Sequence, residues 1–196
     1  MSTAETTPST NGADQDLLQV RINARLGGPQ RGDRYEDPLA YWLEQRAPGS
    51  RVTGGGTLRS PEGEPLGCGI DARVVGATDD LLDALVVYLE EIGAPRGSVV
   101  SLGGQTRPLG RAEGLAIYLD GTGLPDEVYA AHDVNEFFDR LHEAVAGVGR
   151  LQSFWEGPTT TAGYVYGPSY DAMRAAVEPL VTAHPLAQGC RVEQIA

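Results

Sequence analysis

The sequence predicts an α+β chain made of two copies of a β-α-β-β-α-β unit with antiparallel sheets, and three observations carry that prediction. Apolar and polar residues alternate with a period of two at the start of each half, over 18–26 and again over 115–119, the mark of a strand with one buried face. Each such stretch is followed by apolar residues at helical spacing, then two more strand-like stretches, a second helical stripe and a last short strand. Corresponding landmarks recur at a near-constant offset: Asp37 and Asp133 are 96 positions apart, Asp80 and Asp171 are 91 apart, and Ser98 and Cys190 are 92 apart.

Residues 1–16 hold Ser, Thr, Pro, Gly, Asn and acids without a large apolar residue, so they bury too little surface to offset the entropy of ordering and are expected to form a disordered tail. In the first copy (17–102) Leu18, Val20, Ile22, Ala24 and Leu26 alternate with Gln19, Arg21, Asn23 and Arg25 as a strand. A loop, GGPQRGDRYE, leads to Asp37-Pro38, a capping carboxylate followed by a proline suited to a helix start, with Leu39, Trp42 and Leu43 turned inward. Strands are expected around 50–59 and 66–75, joined by the turn-forming SPEGEP. Thr78, Asp79 and Asp80 open a second helix whose stripe is Leu81, Leu82, Leu85, Val86, Leu89 and Ile92; Gly93 and Pro95 stop it, and 98–102 is the closing strand.

The polar, Gly- and Pro-containing stretch 103–113 reads as a linker to the second copy (114–196). There, Leu115, Ile117 and Leu119 form a strand. Asp133 and Glu136 make a capping box ahead of Val134, Phe137, Phe138, Leu141 and Val145. Strands at 151–156 and 162–166 flank GPTTT, Met173, Ala176, Val177, Leu180 and Val181 line another helix, and 190–195 ends the unit. Both first loops carry an acid, a tyrosine and then the capping Asp, with Tyr35 and Tyr129 in comparable places. This order of elements resembles the ferredoxin-like fold, in tandem, over nearly everything from Leu17 to Ile195. That fold hosts many functions and selects none of them.

Composition narrows the classes. All fifteen positive charges are arginines, against 27 acids, for a net charge of −12. An acidic surface repels phosphate backbones, so nucleic-acid binding is not expected, and it steers the chain toward basic partners. No apolar run approaches the roughly 20 residues that span a bilayer, and the first sixteen residues lack a basic start and an apolar stretch, so no membrane role and a cytoplasmic location are expected. Cys68 and Cys190 stand apart without a Cys-x-x-Cys pair, and His132, His142 and His184 have no ligand spacing; no metal and no cofactor are expected. Thr53-Gly54-Gly55-Gly56-Thr57 lacks the Lys and following helix of a phosphate loop and reads as a bulged strand. Arg31-Gly32-Asp33 matches an adhesion tripeptide by eye only. Arg21, Asn23 and Arg25 form a polar outward face able to meet an anion or simply water.

No catalytic residue is assigned. His132, Asp133 and Asp120 fall near one strand end of the second copy, with Asp126 and Glu127 in the same loop, where an acid–base pair is conceivable, although capping already accounts for Asp133; Tyr129 of that loop is a further candidate binding residue. Tyr118, Trp155, Tyr164 and Tyr166 sit on its strands, with Glu156 at a turn, as an aromatic patch that suits an interface, a pocket or the core. The leading expectation is a non-enzymatic acidic binding module of immunity or antitoxin type that occludes a basic bacterial partner. The alternative is a small-molecule-binding protein or enzyme in which the two copies pair as a pseudo-dimer around a cleft, walled by those aromatic residues with Asp120, His132 and Glu156 as its polar groups. A third reading is a structural or regulatory subunit whose exposed sheet edge adds to another chain.

Overall fold

The computed structural model describes residues 15–196. The tail expected over 1–16 lies outside the described residues except for Gln15 and Asp16, which already belong to the first strand. β1 (Gln15–Ile22) pairs antiparallel with β3 (Pro65–Val75) on one side and with β4 (Ser98–Leu102) on the other, and β2 (Arg51–Arg59) flanks β3. The order β2-β3-β1-β4 is that of a ferredoxin-like sheet, extended by β5 (Gln105–Leu109). The second sheet repeats the order as β7-β8-β6-β9, from β6 (Glu113–Asp120), β7 (Arg150–Glu156), β8 (Thr160–Gly167) and β9 (Arg191–Gln194). The chain is a tandem ferredoxin-like fold.

Helices cover one face of each sheet. In the first unit α2 (Asp37–Arg46) and α3 (Asp79–Glu91) bury Leu39, Leu43, Leu82, Leu85 and Leu89 against Leu18, Val20, Ile70 and Val100. Each such aliphatic side chain contributes about 1.5–3 kcal/mol on full burial. The Thr78 hydroxyl caps α3 by accepting from the Leu81 amide at 3.1 Å, as its position before two acids predicts. In the second unit α5 (Val134–Ala144) and α6 (Tyr170–Ala183) place Phe137, Leu141, Met173 and Val177 on Leu115, Ile117 and Val165. Asp133 caps α5 through the Asn135 amide at 2.8 Å. Glu136 pairs with Arg140 one turn on, so the reciprocal half of the expected capping box is not made.

Three local expectations are corrected. The loop expected before Asp37 is helical: α1 (Gly28–Arg31), with Pro29 in its first turn, runs through a π-helical turn (Gly32–Glu36) into α2, so Asp37 lies inside a continuous helical path and caps nothing. Pro29 supplies the true helix start, since its missing amide and fixed φ suit the first turn. The stretch expected as a linker carries β5, a hairpin partner of β4 that turns on Gly103 and Gly104, both at positive φ. The first loop of the second unit carries α4 (Asp126–Ala131).

The glycine run in β2 does read as a bulged strand, with a register shift between Val52 and Gly54. Gly55 faces the helices, where any Cβ would run into the Arg31–Glu36 ion pair and the Gly69 carbonyl. Glycine is needed there because charged side chains and a neighbouring backbone occupy the place of its missing side chain.

The two units pack end to face. The second sheet's helix-free face, bearing Ala116, Tyr118, Ala162, Tyr164 and Tyr166, joins the first unit's core cluster together with Ala24, Leu26 and Tyr35. The covering piece is the segment that leaves β1 and the β2–β3 hairpin. No helix among the described residues is long and apolar enough to cross a membrane.

Candidate functional site

The aromatic residues of the second copy are drawn together, but inside the molecule. Glu64, at the end of the β2–β3 hairpin, enters the joint between units. Its Oε1 accepts from the Tyr118 hydroxyl at 2.8 Å, from the Tyr164 hydroxyl at 2.9 Å and from the Arg25 guanidinium. Arg25 also donates to the Tyr118 hydroxyl at 2.8 Å, and its main-chain amide donates to the Tyr166 hydroxyl at 2.8 Å. Ser153 donates to the Arg25 carbonyl at 2.5 Å, tying β7 to the same segment. Burial pushes all three tyrosine hydroxyls up, and for Tyr118 and Tyr164 the neighbouring Glu64 carboxylate adds to it. These tyrosines are 0–6% exposed, so they are seam and core. Trp155 is half-buried against the same cluster, and Glu156 is exposed at the neighbouring turn.

The remaining residues expected to bind lie at the far end of the second sheet. Asp120, Tyr129 and His132 line a cleft of about 650 Å³, from which exposed Glu127 stands apart. Asp120 Oδ1 closes a local turn by accepting from the amides of Thr122 and Gly123 at 2.9 and 2.7 Å, which holds its carboxyl below the usual range. The Tyr129 hydroxyl donates to the Asp120 carbonyl at 3.2 Å and accepts from the Leu124 amide at 3.0 Å. His132 lies edge to face with His184, 5.5 Å between ring centres. Asp120 and Tyr129 are engaged within their own loop, and among the described residues no hydrogen bond joins His132 to a carboxylate.

Sequence reasoning expected a cleft between the copies but placed other residues in it. A recess of about 770 Å³ opens between the units, where the C-terminal end of α3 and the connection after β5 meet the β7–β8 edge. Four arginines line it: Arg34 from the π-helical turn, Arg96 and Arg111 from the first unit's closing segments, and Arg150 from β7. One acid, Glu90, shares the lining. Arg111 Nε is held by Glu90 Oε2 at 2.6 Å, and Arg96 by Glu113 at 2.5 Å. Arg34 and Arg150 have no acidic partner among the described residues.

Two buried polar atoms in this lining, Arg34 Nε and Gln152 Oε1, have no hydrogen-bond partner. An unpaired buried donor or acceptor costs about 1–3 kcal/mol, so both await a partner. The backbone makes room for the Arg34 guanidinium. Gly93, at φ +91°, passes 2.7 Å from an Arg34 terminal nitrogen at its Cβ position, so any side chain there would displace the guanidinium. The Tyr35 hydroxyl donates to the Gly93 carbonyl at 3.1 Å and fixes that turn from below, while burial raises the hydroxyl to about 12. The signal for this site was faint: isolated arginines in separate segments, without periodicity or a motif.

No family model and no curated protein matches the chain. Among solved structures it is similar to the ligand-free regulatory subunit of aspartate kinase from Thermus thermophilus, at 14% identity over 87% of this chain and 97% of that one, TM-score 0.26. It is also similar to a putative glycine cleavage system transcriptional repressor, at 9% identity over 92% and 95%, TM-score 0.30. The regulatory subunit of aspartate kinase from Thermus flavus gives 14% identity over 86% and 95%, TM-score 0.26. The expectation of an immunity- or antitoxin-type module is corrected: Tyr118, Tyr164 and Tyr166, which were to meet the partner, are consumed in joining the two units.

Proposed function

We propose that the protein binds a small anionic molecule in the cleft between its two units. The observation that carries this reading is the gathering of four arginines from both units around one recess, with Arg34 Nε and Gln152 Oε1 buried and unpartnered. The chain as a whole carries a net charge of −12, so a local excess of guanidinium groups is not a sample of its average surface. At physiological salt, charges beyond about 8 Å are largely screened, and a ligand inside the recess feels the arginines that touch it more than the distant acids. Arginine's planar fork suits carboxylate and phosphate oxygens, and pairing there would satisfy the orphan Nε.

The test is unfolding of the purified protein with inorganic phosphate, citrate or succinate added. An anion at 100 times its dissociation constant stabilises the folded state by about 2.7 kcal/mol. Exposed Arg150→Ala is expected to abolish that gain while leaving the ligand-free midpoint within about 1 °C. Stabilisation that survives Arg150→Ala, or none from any anion, would overturn the reading.

A further inference from the structure

The lining of the inter-unit cleft specifies more than an anion, an inference that rests on the cleft being the binding site. Two of its four guanidinium groups are already neutralised, Arg111 by Glu90 and Arg96 by Glu113. The two without an acid, Arg34 and Arg150, come from different units. Two uncompensated guanidinium groups call for a dianionic group with oxygens to offer on more than one side. A phosphate monoester meets both demands, whereas a single carboxylate meets one arginine at a time. An amino acid is disfavoured further, since its ammonium group would sit beside the same positive charges.

Gln152 adds a different demand. Its buried Oε1 lacks a donor, so the ligand brings an O–H or N–H close to its anionic group. The third constraint is what the walls lack. Gly93, Gly110, Gly167 and Pro168 supply backbone and small surfaces. The aromatic residue in the lining, Tyr166, is 3% exposed, with its hydroxyl engaged by the Arg25 amide. Stacking of a base on an aromatic ring contributes about 1–3 kcal/mol, and no open ring face is offered here. We infer that the cleft takes a phosphorylated polyol, a sugar phosphate in its chemistry, with the phosphate between Arg34 and Arg150 and a hydroxyl on Gln152 Oε1.

Calorimetric titration of the full chain with glucose 6-phosphate, inorganic phosphate, gluconate and adenosine monophosphate tests this. The sugar phosphate is expected to bind at least about tenfold tighter than the other three. Arg150→Ala is expected to weaken it about 10- to 100-fold, the loss of one charge-assisted pair. Gln152→Leu is expected to erase the advantage over inorganic phosphate without changing phosphate affinity, a readout that general loosening of the fold would not produce. Gluconate or the nucleotide binding as tightly, with the same dependence on Arg150, would overturn the phosphorylated-polyol inference and leave the anion cleft standing. Binding indifferent to Arg150→Ala, or no binding by any of the four, would overturn both.

Discussion

Replacing Glu64 probes the joint between the units most directly. Its carboxylate accepts from Tyr118, Tyr164 and Arg25 together, and the Arg25 and Glu64 side chains are 19% and 17% exposed. Removing one member of a fully buried ion pair costs about 3–5 kcal/mol, because the other charge is stranded. The residual exposure lets water reach Arg25, so the lower end applies, and Glu64→Ala is expected to cost about 3 kcal/mol. Glu64→Gln keeps an acceptor for both tyrosine hydroxyls and loses only the charge, so its cost is expected at about 1–1.5 kcal/mol. For a chain of this size about 3 kcal/mol lowers the melting midpoint by roughly 6–12 °C. Urea denaturation followed by circular dichroism measures both variants, and a cycle with Tyr118→Phe measures the coupling, expected above about 0.5 kcal/mol. A Glu64→Ala chain within about 0.5 kcal/mol of the parent would refute the reasoning, since it would show that the network is solvated and contributes nothing net.

Further predictions concern single positions. Gly110 sits at φ +108°, and a Cβ there would collide with the Pro95 carbonyl, so Gly110→Ala is expected to cost about 2 kcal/mol or more by urea denaturation. Half-buried Trp155 is expected to cost about 2–3 kcal/mol as Trp155→Ala, below the range for a fully buried ring, while exposed Glu156→Ala stays within about 0.5 kcal/mol on the same assay. Burial pushes the Cys68 thiol up to about 12, so a thiol reagent at pH 8 is expected to modify Cys68 only at the unfolding rate, read by mass spectrometry. His184 is 7% exposed, and its ring stands 5.2 Å from that of Phe137. Its Nδ1 accepts from the Leu186 amide at 3.2 Å. Burial, then Arg140 and His132, lower its pKa, with Glu136 opposing. Below about pH 6.5 the unfolded chain takes up this proton first. The stability due to neutral His184 is therefore complete above that pH and falls as pH drops toward the lowered folded value. His184→Gln is expected to flatten the decline between pH 7.5 and 5.

Much of the fold was legible because local patterns encode local structure. Alternation in 18–22 and 115–119, the Thr78 and Asp133 caps and the stops at Gly93 and Gly147 each answer to backbone geometry within a few residues, and the duplicated order followed from them; the strand expected to run on to 26 ends at Ile22, where the segment leaves the sheet to cover the second unit. The failures were also local. Asp37-Pro38 looks like a helix start, yet Pro29 had already begun the helix, and the 103–113 stretch looked like a linker because a short polar edge strand such as β5 has no apolar alternation to show.

The sequence by itself determined that two similar units would form, with helices on one face of each sheet. What would cover the second sheet's other face was decided by tertiary structure alone. Tyr118, Tyr164 and Tyr166 suit solvent, ligand or core equally in one dimension, and only the arrival of Arg25 and Glu64 from the first unit makes them a buried seam. The arginine cleft is a stronger case: Arg34, Arg96, Arg111 and Arg150 are scattered over more than a hundred positions, and a charge carries no periodicity. They meet because the end of one unit packs on the face of the other, and that packing depends on the summed burial of surfaces distant in sequence rather than on the pattern of any one segment.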